Sequence, residues 1–202
     1  MITVQTLMNL DACPDQVALF QEFLGDREGV EPTDEVIREA ALYGLAVVWA
    51  QSHGLLRIPD GILVYRNGQK EWWINGKLHR EDGPAIEWAS GVLEWWIQGQ
   101  RHREDRPAIE WPDGSKEWWT NDQVHREDGP AVEWACGRKE WWINGKPHRE
   151  DGPAIERTNG SREWWLHGQR HREDGPAVER ANGRKEWWIH GVCTRIEEGT
   201  VQ

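Results

Sequence analysis

Phenylalanine, tyrosine and methionine are scarce in this chain, two of each in 202 residues, while tryptophan occurs sixteen times. Aromatic character in general is therefore not what is selected. Indole is, a side chain with a large apolar area and one N–H donor that suits partly wet positions. Cysteine is scarce as well. Cys13, Cys136 and Cys193 are odd in number and unrelated in position, which excludes a disulfide framework or a metal-ligand spacing and makes a reducing cytosol the expected compartment. No apolar run approaches the roughly 20 residues that a spanning helix needs. No basic stretch followed by an apolar one opens the chain, so a cytoplasmic location with no membrane partner is expected.

Basic residues are also few, with 24 Lys and Arg against 35 Asp and Glu and a net charge of -11. The deficit is concentrated at the start, where Arg27, Arg38 and Arg57 are the only Lys or Arg before residue 61. Phosphate neutralisation drives nucleic-acid affinity, so this balance argues against DNA or RNA as a partner and is compatible with a basic protein.

What is present is a repeat. Trp-Trp pairs stand at Trp72/Trp73, Trp95/Trp96, Trp118/Trp119, Trp141/Trp142, Trp164/Trp165 and Trp187/Trp188, at a constant spacing of 23 residues. His-Arg-Glu-Asp follows in five copies, from His79, His102, His125, His148 and His171. A fixed period in this range signals an array in which each unit buries itself against its neighbours. Residues 1–59 differ, and read as a helical hairpin that caps the array or docks a partner. One helix is predicted from Pro14 to Leu24, and a second from the Thr33 N-cap to Ser52. Residues 60–196 then hold six units, and 197–202 a tail. Within a unit, Lys70 to Ile74 is a β-favouring strand and Asn75-Gly76 a tight hairpin turn. Lys77 to Arg80 returns, Glu81-Asp82-Gly83-Pro84 bends, and Ala85 to Trp88 is extended again. Arg106 replaces the glycine of the Asp-Gly-Pro bend, so that position does not demand a positive φ.

The 23-residue period, the Asn-Gly-Lys-x-His hairpin signal and the closing x-x-Gly turn resemble MORN (membrane-occupation-and-recognition-nexus) repeats, which also occur in bacterial antitoxin-like proteins. The resemblance covers residues 60 to about 191. It implies a mainly β fold, an elongated single-layer antiparallel sheet of stacked hairpins. The chain departs from the family where Glu-Trp-Trp replaces Tyr-x-Gly-x-Trp and where His-Arg-Glu-Asp-Gly-Pro replaces His-Gly-x-Gly.

Neighbouring residues on a strand face opposite ways, so each Trp-Trp pair contributes one indole to each side of the sheet. Either both ladders pack internally under Arg and Lys stems, or one of them is an open strip for a partner. The candidate partner-binding residues are Trp72, Trp73, Trp95, Trp96, Trp118, Trp119, Trp141 and Trp142. A third column joins them: Trp88, Trp111 and Trp134, giving way to Arg157 and Arg180. This column grades from aromatic to cationic and could fix a partner's register. Five near-identical His-Arg-Glu-Asp copies are turn chemistry rather than catalysis, with Asp bonding local backbone and His and Arg tying strand ends. No phosphate loop, helical metal motif or nucleophile with a companion base is present, so no catalytic residue, metal or cofactor is expected. The expected function is a non-enzymatic inhibitor that occludes a bacterial protein or complex, such as a phage or mobile-element counter-defence protein. An immunity or antitoxin protein, a trap for a small nucleotide-like ligand, and a self-assembling homodimer are the alternatives.

Overall fold

The computed structural model describes residues 1–199; the end of the expected tail, 200–202, lies outside the described residues. The chain forms two compact units, residues 1–99 and 100–202, so the first unit takes in the helices together with the first hairpins. Both units are built from antiparallel β-hairpins, as expected for a mainly β repeat.

Unit 1 begins with four helices, α1 (Val4–Met8), α2 (Pro14–Leu24), α3 (Asp34–Tyr43) and α4 (Val47–Ser52). The predicted α2 has the predicted bounds, with Pro14 in its first turn and Gly25 at its end. The second predicted helix is in fact two. Gly44 adopts φ +101 and closes α3, since its N–H bonds back to Ala40 and Ala41. A left-handed glycine is an efficient helix stop, and the continuous apolar pattern across it concealed the break. A further short helix, α1, is capped by Thr3 and Thr6.

The helices bury against strands β1 (Gly61–Val64), β2 (Lys70–Ile74) and β3 (Lys77–Leu78). Ile37, Phe20, Phe23, Ala41 and Val47 share one core with Leu63 and Trp73, and Tyr65 and Leu78 pack at its margin. Leu63 lies opposite Glu71 in the β1–β2 register, so the helical layer covers the side of the sheet that carries Glu71 and Trp73. Arg38 pins α3 to this sheet by donating to the carbonyls of Asp60 and Ile62. Strands β4 (Ile86–Glu87) and β5 (Leu93–Glu94) continue the unit beyond β2.

Unit 2 holds strands and turns alone among its described residues. Its sheet alternates two kinds of strand, Ile-Glu or Val-Glu and Lys-Glu or Arg-Glu, from Ile109–Glu110 to the Lys185–Ile189 and Val192–Glu197 pair. Small hairpins project from it, such as Trp142–Ile143 with Lys146–Pro147. The turns take the geometry that the Asn-Gly signal predicts. Asn75 and Gly76 both have positive φ, and the less favourable Asn121-Asp122 and His167-Gly168 adopt the same form, which matches strand twist. Ala108, Ala131, Ala154 and Ala177 are fully buried beside the aliphatic Ile109, Val132, Ile155 and Val178.

Because Leu63 is 1 % exposed and Ile62, its neighbour, 40 %, the two positions separate core from surface. Leu63→Ala should cost about 2–5 kcal/mol, whereas Ile62→Ala should stay within about 0.5 kcal/mol. Urea denaturation of the full chain measures both.

Candidate functional site

Each Trp-Trp pair divides between two unlike environments. The second indole of every pair donates its Nε1–H to the glutamate two residues earlier: Trp73 to Glu71, Trp96 to Glu94, Trp119 to Glu117, Trp142 to Glu140, Trp165 to Glu163 and Trp188 to Glu186, at 2.7–3.3 Å. The contact is kept both where the strand runs on, as in Lys70–Ile74 and Lys185–Ile189, so that residues two apart share a side, and where it is interrupted at the first tryptophan, as between Lys139–Glu140 and Trp142–Ile143. Five of these glutamates, at 71, 94, 140, 163 and 186, are buried. A buried carboxylate is tolerable only with donors around it, and the indole is one such donor in every copy.

The first indole of the pair lies on the opposite side under an arginine. Arg80 stands 4.1 Å from the centre of Trp72, Arg126 4.1 Å from Trp118, Arg149 4.0 Å from Trp141 and Arg172 4.1 Å from Trp164. Arg195 does the same over Trp187 although no His-Arg-Glu-Asp motif surrounds it. The guanidinium is held flat by the aspartate two residues on, as Arg149 Nε donates to Asp151 at 2.7 Å and Arg80 Nε to Asp82 at 2.8 Å. The aspartate thus serves its own arginine first, with a smaller contribution from the local backbone N–H expected of turn chemistry. The hydrogen bond and charge of that arginine hold Asp82, Asp128, Asp151 and Asp174 below the usual carboxylate range. The glycine of the bend leaves room for the guanidinium. A Cβ at Gly83 would meet Arg80 Cζ at 2.8 Å, and Gly83 has no positive φ. Where Arg106 takes the glycine's place, the preceding Asp105 adopts φ +49.

The histidines tie successive hairpins together, as expected. Nδ1 of His79, His125, His148 and His171 accepts the backbone N–H of the next hairpin turn, at Gln98, Asn144, His167 and His190. Among the described residues no group of three or more His, Cys, Asp or Glu side chains is placed to hold a metal.

The candidate partner-binding residues therefore fall into three sets. Trp72, Trp95, Trp118 and Trp141 are half-buried on the arginine side, and Trp96, Trp119 and Trp142 half-buried on the glutamate side, where Trp73 is buried outright. Neither ladder stands open. The third column is the more accessible, with Trp88 and Trp134 each 38 % exposed. Trp111 is half-buried and its ring centre lies 5.9 Å from that of Trp134.

This column shares the glutamate side and feeds the same carboxylates. Tyr65 donates to Glu71 at 2.7 Å, Trp88 to Glu94 at 2.7 Å, and Arg157 and Arg180 to Glu163 at 2.7 and 3.1 Å. Arg170, which sequence reasoning passed over, also reaches Glu163 at 3.3 Å. Its column changes identity from unit to unit (Leu78, Arg101, Val124, Pro147, Arg170), so periodicity alone gave no signal. Burial opposes ionisation of Glu163, but the hydrogen bond and charge of Arg157 and the charges of Arg170 and Arg180 outweigh it and keep the carboxyl below its ordinary range. Burial drives the Tyr65 hydroxyl far upward, with Glu71 adding to the effect, so it remains a donor at neutral pH.

No protein-family model and no curated protein matches the chain. Within the described residues no helix is long and apolar enough to cross a membrane.

The two indole environments predict different sensitivities. Trp142→Phe leaves buried Glu140 short of a donor and should cost about 1–3 kcal/mol. Trp141→Phe keeps a ring beneath Arg149 and should cost less than about 1 kcal/mol. Chemical denaturation of the full chain distinguishes them. The lowered carboxyl pKa values of Glu163 and Asp151 set the sign with pH. Their contribution is complete above the unfolded carboxylate pKa near 4 and is lost as pH falls through the lower folded value. The denaturation midpoint should therefore stay level from neutral pH to about 5 and fall below about 4, as a pH series of melts would show.

Proposed function

We propose that the chain is a non-enzymatic protein-binding module whose partner seats on the glutamate side of unit 2. The observation that carries this reading is the Trp111/Trp134 pair, two indoles of one column with ring centres 5.9 Å apart, the second of them 38 % exposed. In unit 1 the chain's own helices cover the corresponding side of the first strands, at Leu63 and Trp73, whereas unit 2 contributes no helix among its described residues. Indoles are enriched at the energetic centres of protein interfaces, and a neighbouring row of arginines supplies polar orientation around an apolar centre. The fivefold repetition of His-Arg-Glu-Asp supports a binding rather than a catalytic role, because the histidines are occupied in tying each hairpin to the next, four through a turn N–H and His102 through the Asn121 side chain.

The form of binding that fits best is inhibition by occlusion: a rigid, acidic repeat covers a functional surface of a bacterial protein or complex, as a phage or mobile-element counter-defence protein would. The hairpin repeat in this reading is MORN-like, and its working compartment is the cytoplasm.

The test is capture by the tagged full chain from bacterial lysate, followed by native mass spectrometry. The wild type should retain a foreign protein at fixed stoichiometry. The double variant Trp111→Arg/Trp134→Arg should lose it by at least tenfold while staying folded, because the same column already carries Arg157 and Arg180. A wild-type chain that elutes bare as a monomer would overturn the reading, and a bare dimer would replace it with self-assembly.

A further inference from the structure

The repeat contains its own standard for how many donors a buried glutamate needs. Glu71 is served by three neutral groups, Tyr65, Gln69 and Trp73. Glu140 and Glu186 are each served by one guanidinium, Arg138 or Arg184, together with one indole. Glu163 has three guanidiniums, those of Arg157, Arg180 and Arg170, at 2.7, 3.1 and 3.3 Å, besides the indole of Trp165. Three positive charges on one carboxylate leave a surplus of two. Satisfying Glu163 does not call for them.

We propose that Arg157, Arg170 and Arg180 form a binding site for a phosphate dianion, either free or at the end of a phosphomonoester. The arrangement of charge supports this. Glu163 is only 2 % exposed, while the side chains of Arg157, Arg170 and Arg180 are 34, 27 and 33 % exposed. Solvent therefore meets the cations and not the anion beneath them. Planar guanidinium forks are the side chains best matched to phosphate oxygens. The orientation of Arg170 is set in advance, since it lies between two indoles, 5.0 Å from the centre of Trp165 and 5.2 Å from that of Trp188.

Charge decides between oxyanions. A phosphate monoester carries about -1.5 to -2 at neutral pH and balances the surplus, whereas a single carboxylate leaves one charge over. The local site is cationic although the chain as a whole is at -11, so non-specific attraction of anions does not account for it. The proposal stands independently of the protein-partner reading, because it needs only the four side chains named.

The experiment is a titration of the full chain with inorganic phosphate above neutral pH, followed by the indole Nε1–H resonances in nitrogen-proton correlation spectra. Trp165 and Trp188 flank the arginines, and their signals should shift saturably. Those of Trp119 and Trp142 should not, and chloride at matched ionic strength should have no such effect. In Arg157→Trp/Arg180→Trp the midpoint should rise at least tenfold. That variant reproduces an arrangement already present, because Trp111 and Trp134 flank buried Ser115 as Arg157 and Arg180 flank buried Ser161. If it does not fold, Arg170→Val, which installs the residue of Val124, gives the same test with the same expected loss. A parallel titration with AMP identifies the source: a midpoint equal to that of phosphate means the phosphate group alone is read, and a lower one means a nucleotide. No saturable shift in the wild type, an equal response at Trp119 and Trp142 or to chloride, or an unchanged midpoint in the variants would overturn the proposal.

Discussion

A carboxylate buried beside the indole two residues further along the chain is the constraint on which this structure depends. Taking an ionised glutamate out of water costs several kcal/mol unless donors replace the lost hydration. The chain supplies one donor locally, from the indole two positions on. Trp142 reaches Glu140 in this way, and Trp188 reaches Glu186. Further donors must come from neighbouring segments, which is why the third column and the 69, 138 and 184 positions are polar or amphipathic. At Glu163 the set extends beyond one hairpin. Arg180 reaches Glu163 across 17 residues of chain, so the glutamate links consecutive units and specifies their register.

The opposite side of the sheet solves a different problem with the same residue type. There the indole is a platform, and its N–H matters less than its face. Arg149 covers Trp141 and is held level by Asp151, while Gly152 leaves room for the guanidinium. His148 accepts the N–H of His167 in the next turn. Each copy of His-Arg-Glu-Asp-Gly-Pro thus assigns three of its residues to covering one indole and one to joining two hairpins. That division explains why the motif recurs almost unchanged while the glutamate side varies. Most of its residues meet partners within their own unit, and a change at one strands another.

Much of this was legible in the sequence, for reasons that can be located. The constant 23-residue step announced a hairpin array, and Asn75-Gly76 and Asn144-Gly145 announced its turns. Strand alternation required the indoles of Trp72 and Trp73 to part. It could not reveal that each already had a fixed companion, since Glu71 to Trp73 and Arg80 to Trp72 are contacts of geometry and not of composition. The break at Gly44 was hidden for a related reason: apolar residues continue on both sides of it, and only the backbone angle shows the stop. Arg170 escaped notice because its column holds leucine, valine and proline elsewhere. Its role depends on Arg157 and Arg180 standing close by, and nothing in its own position suggests this.

The third column shows how such a fold separates structure from recognition. Tyr65, Trp88, Arg157 and Arg180 all donate to a glutamate of the repeat. A phenol, an indole and a guanidinium are each flat and extended, with a donor at one end, and the buried carboxylate does not distinguish among them. What differs is the outward surface, apolar over Trp88 and Trp134 and cationic over Arg157 and Arg180. The structural demand on the column is therefore for a flat donor, and its chemistry toward solvent is left free. A repeat built on that demand can alter what it binds one unit at a time without disturbing how it folds. Positions where the donor supplied exceeds what the glutamate requires, as at Glu163, are where selection for something other than folding becomes visible.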